Sequence, residues 1–178
     1  AGKSTTMKII AGMYPDYEGD MRVDGKHVHF RSARDALAAG IGMVHQELST
    51  IPDLTVAENV FLGHQPLTKL GTVDWQRINA QAARLIASLG LDIDPKTRMG
   101  SLPVGLQQLV ELSRVLFSGA RIIILDEPTS ALSPPEVKRP FDVLRKIKAE
   151  GRGIVFISHL LDDVLTISDT VTVFRNGE

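Results

Sequence analysis

The sequence feature that most constrains the fold of this 178-residue chain is a branched apolar run that ends in two carboxylates. Residues 122–125, Ile-Ile-Ile-Leu, are typical of a strand buried on both faces inside a parallel sheet. Asp126 and Glu127 follow at its carboxyl end, the edge where open α/β sheets bind their ligands. Burying adjacent carboxylates is costly unless a cation or a reacting group meets them, so the run predicts a site for a metal-bound nucleotide. The alternative is a strand end that simply faces solvent.

The first residues of the chain fit the other half of such a site. Ala1-Gly2-Lys3-Ser4-Thr5 matches the end of the phosphate-binding loop G-x-x-x-x-G-K-[ST]. In that loop Gly2 would let backbone N–H groups approach phosphate, Lys3 would reach the β- and γ-phosphates, and the Ser4 hydroxyl would ligate Mg²⁺. The predicted helix over 4–11 would point its positive end at the anion. Gly2, Lys3, Ser4 and Thr5 are therefore the candidate nucleotide-binding residues, and their pairing with the Asp-Glu strand carries the interpretation.

Composition excludes several classes of protein. The formal net charge is −1, which disfavours a nucleic-acid-binding surface because such a surface needs a clustered basic face. The chain has no cysteine, which excludes disulfides and thiolate zinc sites. No apolar stretch approaches the roughly 20 residues that span a bilayer, so any membrane contact must run through a partner. The length suits one domain, with or without a subdomain.

Predicted strands and helices alternate at both ends of the chain, while the middle is helical. This predicts an α/β core over 1–46 and 120–178, with a helical subdomain over 47–119 inserted into it. Asp24-Gly25 predicts a hairpin turn, and Ser32, Thr55 and Asp74 are predicted helix caps. Strands are predicted at 20–24, 27–30, 41–45, 121–126, 153–158 and 170–175, and helices at 4–11, 33–39, 56–62, 75–89, 105–118, from 134 and at 160–167. A helix from 134 would contain Pro140, which disrupts a helix past its first turn.

The motifs, taken in order, resemble those of ABC transporter ATPases over nearly the whole chain. They are the G-K-S-T loop, Gln46 after a strand, the segment 102–108 (Leu-Pro-Val-Gly-Leu-Gln-Gln), the Asp-Glu strand, and Ile157-Ser158-His159. The phrases at 30–37, 44–48 and 56–63 are similar to the ATPases of ribose/xylose/galactose-type sugar importers, which carry two ATPase halves in one chain. Glu127 and His159 resemble the N-terminal half of those proteins. The resemblance implies a P-loop NTPase fold, an α/β core with a mainly parallel sheet and an inserted all-helical subdomain.

The resemblance also implies a role for each matching residue, with ATP and Mg²⁺ as cofactors. Glu127 would be the general base that polarises the attacking water, and His159 would contact the γ-phosphate and hold that base. Gln46 would contact Mg²⁺ or the water, and Ser4 and Asp126 would ligate Mg²⁺. This division suits phosphoryl transfer, which needs positioning and charge neutralisation more than covalent catalysis. His27, His29 and His64 are expected to be structural, and His45 is left open.

The chain departs from the family pattern in two ways. Pro103, Val104, Gly105, Leu106 and Gln107 occupy the signature segment, where the family usually has Ser-Gly-Gly-Gln. Proline offers neither a hydroxyl nor an N–H to a phosphate. Because the signature of one ATPase half completes the site of the other, Pro103 is expected to weaken the partner's site. The chain also begins inside the phosphate loop and stops before the family's domain ends, so we expect one ABC ATPase domain over 1–178 that is truncated at both ends, a fragment of a longer protein that is inactive when isolated.

Three functions remain open. The first is the ATP-hydrolysing motor of a monosaccharide importer, peripheral at the cytoplasmic face of the cell membrane. Its expected partners are a second ATPase half in the same full-length chain, permease subunits in the membrane and, indirectly, an extracytoplasmic sugar-binding protein. The second is a non-catalytic nucleotide-binding and docking module, which Pro103 favours and Glu127 with His159 disfavour. The third is a soluble ABC ATPase outside transport.

Overall fold

The structure is a computed structural model, and it describes residues 2–45 and 49–174. Its helices are α1 (Lys3–Ile10), α2 (Ala33–Ala38), α3 (Val56–Val60), α4 (Trp75–Ser88), α5 (Val104–Phe117), α6 (Pro134–Ala149) and α7 (Leu161–Ile167). Its strands are β1 (Met21–Val23), β2 (Lys26–Val28), β3 (Ile41–Val44), β4 (Ile122–Asp126) and β5 (Gly153–Ile157). The chain divides into two compact units, 1–46 with 118–130 and 147–178, and 47–117 with 131–146.

The first unit is built on a three-stranded parallel sheet in the order β3-β4-β5. In its register, Val44 pairs with Leu125 and Asp126 pairs with Ile157. β4 is the central strand, and three of its apolar residues are at most 2% exposed, which explains the unbroken apolar run. This register brings the carboxyl ends of all three strands to one edge, and so confirms the predicted α/β fold with a parallel sheet.

A hairpin and two helices complete the core of the first unit. β1 and β2 pair antiparallel around Asp24 and Gly25, whose φ angles are 50° and 76°. A two-residue hairpin turn of type I′ requires positive φ at both of its central residues. The buried side chains of this core come from the helices, the loops and the sheet: Ala11, Phe30, Ala36, Ile41, Ile124 and Ile157.

The second unit is mainly helical. α3, α4 and α5 pack on one another, and the rings of Phe61 and Phe117 lie 4.3 Å apart between centroids. The predicted caps are present: the Thr55 side chain accepts from the N–H of Glu58, and that of Asp74 accepts from the N–H of Arg77. The second unit also takes in residues 131–146, which the sequence analysis placed in the α/β core. The domain boundaries drawn from the sequence stay a prediction.

One strand predicted from the sequence is wrong, and the predicted helix with an internal proline is present. The strand predicted at 170–175 is wrong over its described part, because residues 170–174 are irregular and pair with no strand. Pro140 lies past the first turn of α6, which continues through it from Pro134 to Ala149. Proline has no N–H to donate, so the carbonyl four residues earlier, that of Glu136, loses its usual helical partner.

None of the described helices is long and apolar enough to cross a membrane.

Candidate functional site

The carboxylate that ends β4 lies against the helix that follows the phosphate-loop sequence. Asp126 is 5% exposed, and its Oδ1 accepts a hydrogen bond from the Ser4 hydroxyl at 3.0 Å. These two side chains are 122 positions apart in the chain, and the sheet edge brings them together. The predicted metal ligands Ser4 and Asp126 are therefore neighbours in the first unit.

The other predicted phosphate-loop residues lie at the same edge. Gly2 has φ 100°, a conformation open to glycine, and it precedes the first turn of α1. The Lys3 ammonium donates to the carbonyl of Ser158, just past β5, at 3.4 Å. Thr5 is exposed on the first turn of α1. The start of α1 thus faces the ends of β4 and β5.

The carboxylate of Glu127 lies against the imidazole of His159. His159 Nδ1 and Glu127 Oε2 are 2.6 Å apart, although the residues are 32 positions apart in the chain. The Glu127 side chain is 20% exposed and that of His159 is 61% exposed. The pair therefore combines a partly desolvated carboxylate with an imidazole that is open to solvent, and a ligand could reach both groups.

The backbone of Glu127 is strained. Its φ is 52°, in the left-handed region that costs a non-glycine residue roughly 1–2 kcal/mol. Three hydrogen bonds hold it there: its N–H donates to the carbonyl of Ile157 at 2.9 Å, and its carbonyl accepts from the N–H and hydroxyl of Ser130. Strain held in this way is typical of functional sites.

The donor atoms at this edge fit a magnesium-bound nucleotide. Mg²⁺ prefers oxygen ligands and is commonly held by one or two carboxylates together with substrate phosphates. The Ser4 hydroxyl and the buried Asp126 carboxylate are such oxygens, and Lys3 supplies the positive charge that phosphates need. Among residues 2–45 and 49–174, no group of three or more His, Asp or Glu side chains is placed so that it could hold a metal ion.

Two groups of predicted site residues remain, Gln46 and the signature segment. Gln46, predicted to act in catalysis and metal binding, lies outside the described residues. The signature residues Pro103, Val104, Gly105, Leu106 and Gln107 belong to the second unit, at the start of α5. There the Pro103 carbonyl accepts from the N–H groups of Leu106 and Gln107, and the Gln107 amide donates to the Leu102 carbonyl at 2.8 Å.

Sequence reasoning missed one contact at this edge, between Thr129 and Asp163. The Thr129 hydroxyl donates to Asp163 Oδ2 at 2.6 Å. The available signal was a hydroxyl residue two positions after Glu127 and a carboxylate four positions after His159. Neither position stands out without knowing that the two strand ends are neighbours.

Comparison with known proteins assigns this chain to a family. Residues 1–130 match the family described as ABC transporter. The chain is 43% identical over 180 residues to the xylose import ATP-binding protein XylG of Geobacillus kaustophilus, covering all of this chain and 36% of that protein. It is 48% identical to the ribose import ATP-binding protein RbsA of Rhodopirellula baltica and 44% identical to the arabinose import ATP-binding protein AraG of Yersinia pestis, covering 99% of this chain and 35% and 34% of those proteins.

Solved structures agree with this assignment. A nucleotide-free ATP-binding cassette from an ABC transporter matches with a TM-score of 0.85 at 25% identity, over 99% of this chain and 73% of that one. A structure of an ATP-binding cassette of an ABC transporter in its ADP conformation matches with a TM-score of 0.84 at 27% identity, with the same coverage. This chain belongs to the ABC transporter family of ATP-binding proteins. It spans about a third of the length of the curated sugar-import relatives it matches.

Proposed function

We propose that this chain forms the N-terminal ATPase half of the motor that powers import of a monosaccharide. The observation that carries the proposal is the 2.6 Å contact between Glu127 and His159 at the sheet edge where Lys3 and Ser4 also lie. A module that only bound nucleotide would have no use for a carboxylate held in a strained backbone against an imidazole. The similarity to xylose, ribose and arabinose import proteins supports the substrate class.

In this proposal each side chain has one task. Lys3 and the start of α1 bind the phosphates, and Ser4 and Asp126 hold Mg²⁺, which neutralises phosphate charge when bound. Glu127 Oε2 accepts a proton from the water that attacks the γ-phosphate. His159 fixes the carboxylate through Nδ1 and offers its other ring nitrogen to the phosphate. Gln46 is proposed to orient the water, as the family resemblance implies.

The proposed partners follow from the same resemblance. A second ATPase half would complete the nucleotide site, membrane permease subunits would couple hydrolysis to transport, and an extracytoplasmic sugar-binding protein would deliver the monosaccharide. The motor would act at the cytoplasmic face of the membrane. The formal net charge of −1 supports a protein partner over nucleic acid, because nucleic-acid binding needs a clustered basic surface. This charge therefore disfavours an ABC ATPase that acts on nucleic acid.

Substitution of the base in the complete protein tests the proposal. Glu127→Gln keeps size and hydrogen bonding but cannot take a proton, so turnover should fall at least about 100-fold while ATP still binds. Lys3→Ala should instead weaken ATP binding, because a charge aimed at the phosphates is lost. The matched control is Glu18→Gln, an exposed carboxylate in the same unit.

Steady-state hydrolysis and nucleotide titration measure the two effects separately. Near wild-type turnover in Glu127→Gln would remove Glu127 as the base. Absence of hydrolysis in the unmodified complete protein, with its permease partners and sugar present, would favour the non-catalytic docking module, which the proline at position 103 already suggests.

A further inference from the structure

A buried hydroxyl ties together the two segments that carry Glu127 and His159. Thr129 is 1% exposed, and its hydroxyl donates to Asp163 Oδ2 at 2.6 Å. This length is typical of a hydrogen bond from a hydroxyl to a charged oxygen, the stronger class of hydrogen bond. A buried hydroxyl must be paired, and among side chains the structure gives Thr129 this carboxylate.

The position of this bond relates it to the reacting pair. Thr129 lies two residues after Glu127, and Asp163 lies four residues after His159, in the first turn of α7. The sheet already makes one link between these segments, from the Glu127 N–H to the Ile157 carbonyl at 2.9 Å. That bond constrains the start of each segment, before His159. The bond from Thr129 to Asp163 constrains both segments further along the chain, after Glu127 and after His159.

The reacting pair needs this second link because neither residue is held by packing alone. Glu127 has a left-handed backbone that would relax if its loop were free. The His159 ring is 61% exposed, so its place depends on the backbone between β5 and α7. Rates of positioned reactions fall steeply when a catalytic group moves by about 1 Å.

We propose that Thr129 and Asp163 are positioning residues, whose hydrogen bond keeps Glu127 and His159 in register for ATP hydrolysis without touching the nucleotide. The proposal rests on the proposed function, since it concerns the same catalytic pair. It assigns a role to two residues that the motif sequence does not distinguish from ordinary loop and helix residues.

The test compares isosteric and conservative variants in the complete protein. Thr129→Val keeps the branched shape and removes the hydroxyl, while Thr129→Ser keeps the hydroxyl. We expect Thr129→Val to lower kcat about ten-fold with ATP affinity changed less than about two-fold, and Thr129→Ser to recover most of the loss. Asp163→Ala should lower kcat by a similar factor. The double variant should be no slower than the slower single variant, because both changes break one bond.

Matched controls lie on the same helix. Thr166→Val removes a hydroxyl that donates only to the Asp162 carbonyl, and Asp162→Ala removes an exposed carboxylate next to Asp163. Both should leave kcat within about two-fold of the unmodified protein.

Several results would overturn the inference. Wild-type kcat in Thr129→Val would do so, as would multiplied losses in the double variant. A loss of ATP binding that parallels the loss of kcat would show a merely structural role. If Thr129→Val does not fold, the half-buried Asp163→Ala carries the same comparison of kcat with affinity. Glu127→Gln separates the two proposals, because its inactivity alongside a fully active Thr129→Val would sink only this one.

Discussion

Glu127 has a strained backbone at the position of the proposed general base. Its left-handed backbone costs roughly 1–2 kcal/mol, yet the hydrogen bonds around it keep that conformation populated. The conformation turns the chain sharply after β4, and the structure places the carboxylate against His159. A glycine would adopt this backbone more easily but would have no carboxylate. In the proposed mechanism, the chemistry therefore requires a residue that the backbone disfavours.

Asp126 should show a related conflict between stability and ligand binding. Asp126→Asn removes a charge from a site that is 5% exposed, so the free energy of unfolding without nucleotide should stay level or rise by about 1 kcal/mol. Magnesium-dependent ATP binding should fall at least about ten-fold, because the charge of a proposed metal ligand is lost. Urea unfolding and ATP titration with and without Mg²⁺ check this, with the exposed Asp92→Asn as control. A loss of more than about 2 kcal/mol in stability would contradict it.

Two glycines with nearly the same φ angle allow the cost of backbone strain to be measured separately from the cost of a steric clash. Gly12 has φ 71° and Gly25 has φ 76°, so alanine at either position costs about 1 kcal/mol through the backbone. A Cβ at Gly12 would lie 2.4 Å from the Ser32 carbonyl oxygen, whereas one at Gly25 meets nothing within 4 Å. Gly12→Ala should therefore lower the free energy of unfolding by at least about 1 kcal/mol more than Gly25→Ala, as measured by urea denaturation. Equal losses would show that the contact relaxes freely.

The site residues differ in how far the sequence could predict them. Asp126, Glu127 and His159 follow apolar strands, and parallel strands bring such positions to one edge, so their proximity could be expected. The left-handed backbone of Glu127 could not, because no residue type there signals it. The bond from Thr129 to Asp163 depends on how a loop and a helix meet across 34 positions, which local patterns do not encode.

At the scale of single elements, helix starts were predictable because their signal is local. Ser32, Thr55 and Asp74 cap three helices through bonds to residues only three positions later. The strand predicted at 170–175, which is wrong over residues 170–174, has the opposite cause. Alternating Thr and Val residues fit a strand, but a strand forms only against a neighbour, and residues 170–174 have none in the described sheet.

The capping box of α3 should make part of the stability depend on pH. Glu58 Oε2 accepts from the backbone N–H and the hydroxyl of Thr55, each at 2.7 Å, and these bonds hold the pKa of Glu58 below its usual value of 4.5. A carboxyl whose pKa is lowered by folding stabilises the protein above about pH 4.5, and this contribution is lost as the pH falls through the lowered pKa.

Glu58→Gln should therefore lower the free energy of unfolding by about 0.5–1 kcal/mol at pH 7, with partial solvent exposure keeping the effect small. The difference from the unmodified chain should shrink below the lowered pKa, where Glu58 is protonated in both folded and unfolded states. Urea unfolding at pH 7 and at acidic pH measures it, and the exposed Glu150→Gln is the control. A difference of the same size at both pH values would exclude the carboxylate as its source.

At the scale of the whole molecule, the chain combines a nucleotide-binding unit with a mainly helical unit that carries the signature segment. The alternation of strands and helices predicted the parallel sheet, because buried β strands and intervening helices form such sheets. The extent of the second unit was harder to predict. Residues 131–146 follow the Asp-Glu strand in sequence, yet the structure groups them with the helices of the second unit.

The signature segment leads to a prediction about asymmetry between the two proposed ATPase halves. Pro103 provides its carbonyl to the first turn of α5 but has no side-chain oxygen for a phosphate. In the proposed pairing, the signature of this half meets nucleotide bound to the other half. Pro103→Ser in the complete protein should therefore raise nucleotide affinity at the partner's site, since a hydroxyl can donate to a phosphate oxygen. The site built on Lys3 and Glu127 should keep its affinity and its turnover.

Nucleotide titration of Pro103→Ser in the Glu127→Gln background separates the two sites, because the site built on Lys3 and Glu127 then no longer hydrolyses ATP. A gain in turnover that disappears with Glu127→Gln would place the effect of Pro103 in its own half and contradict the pairing.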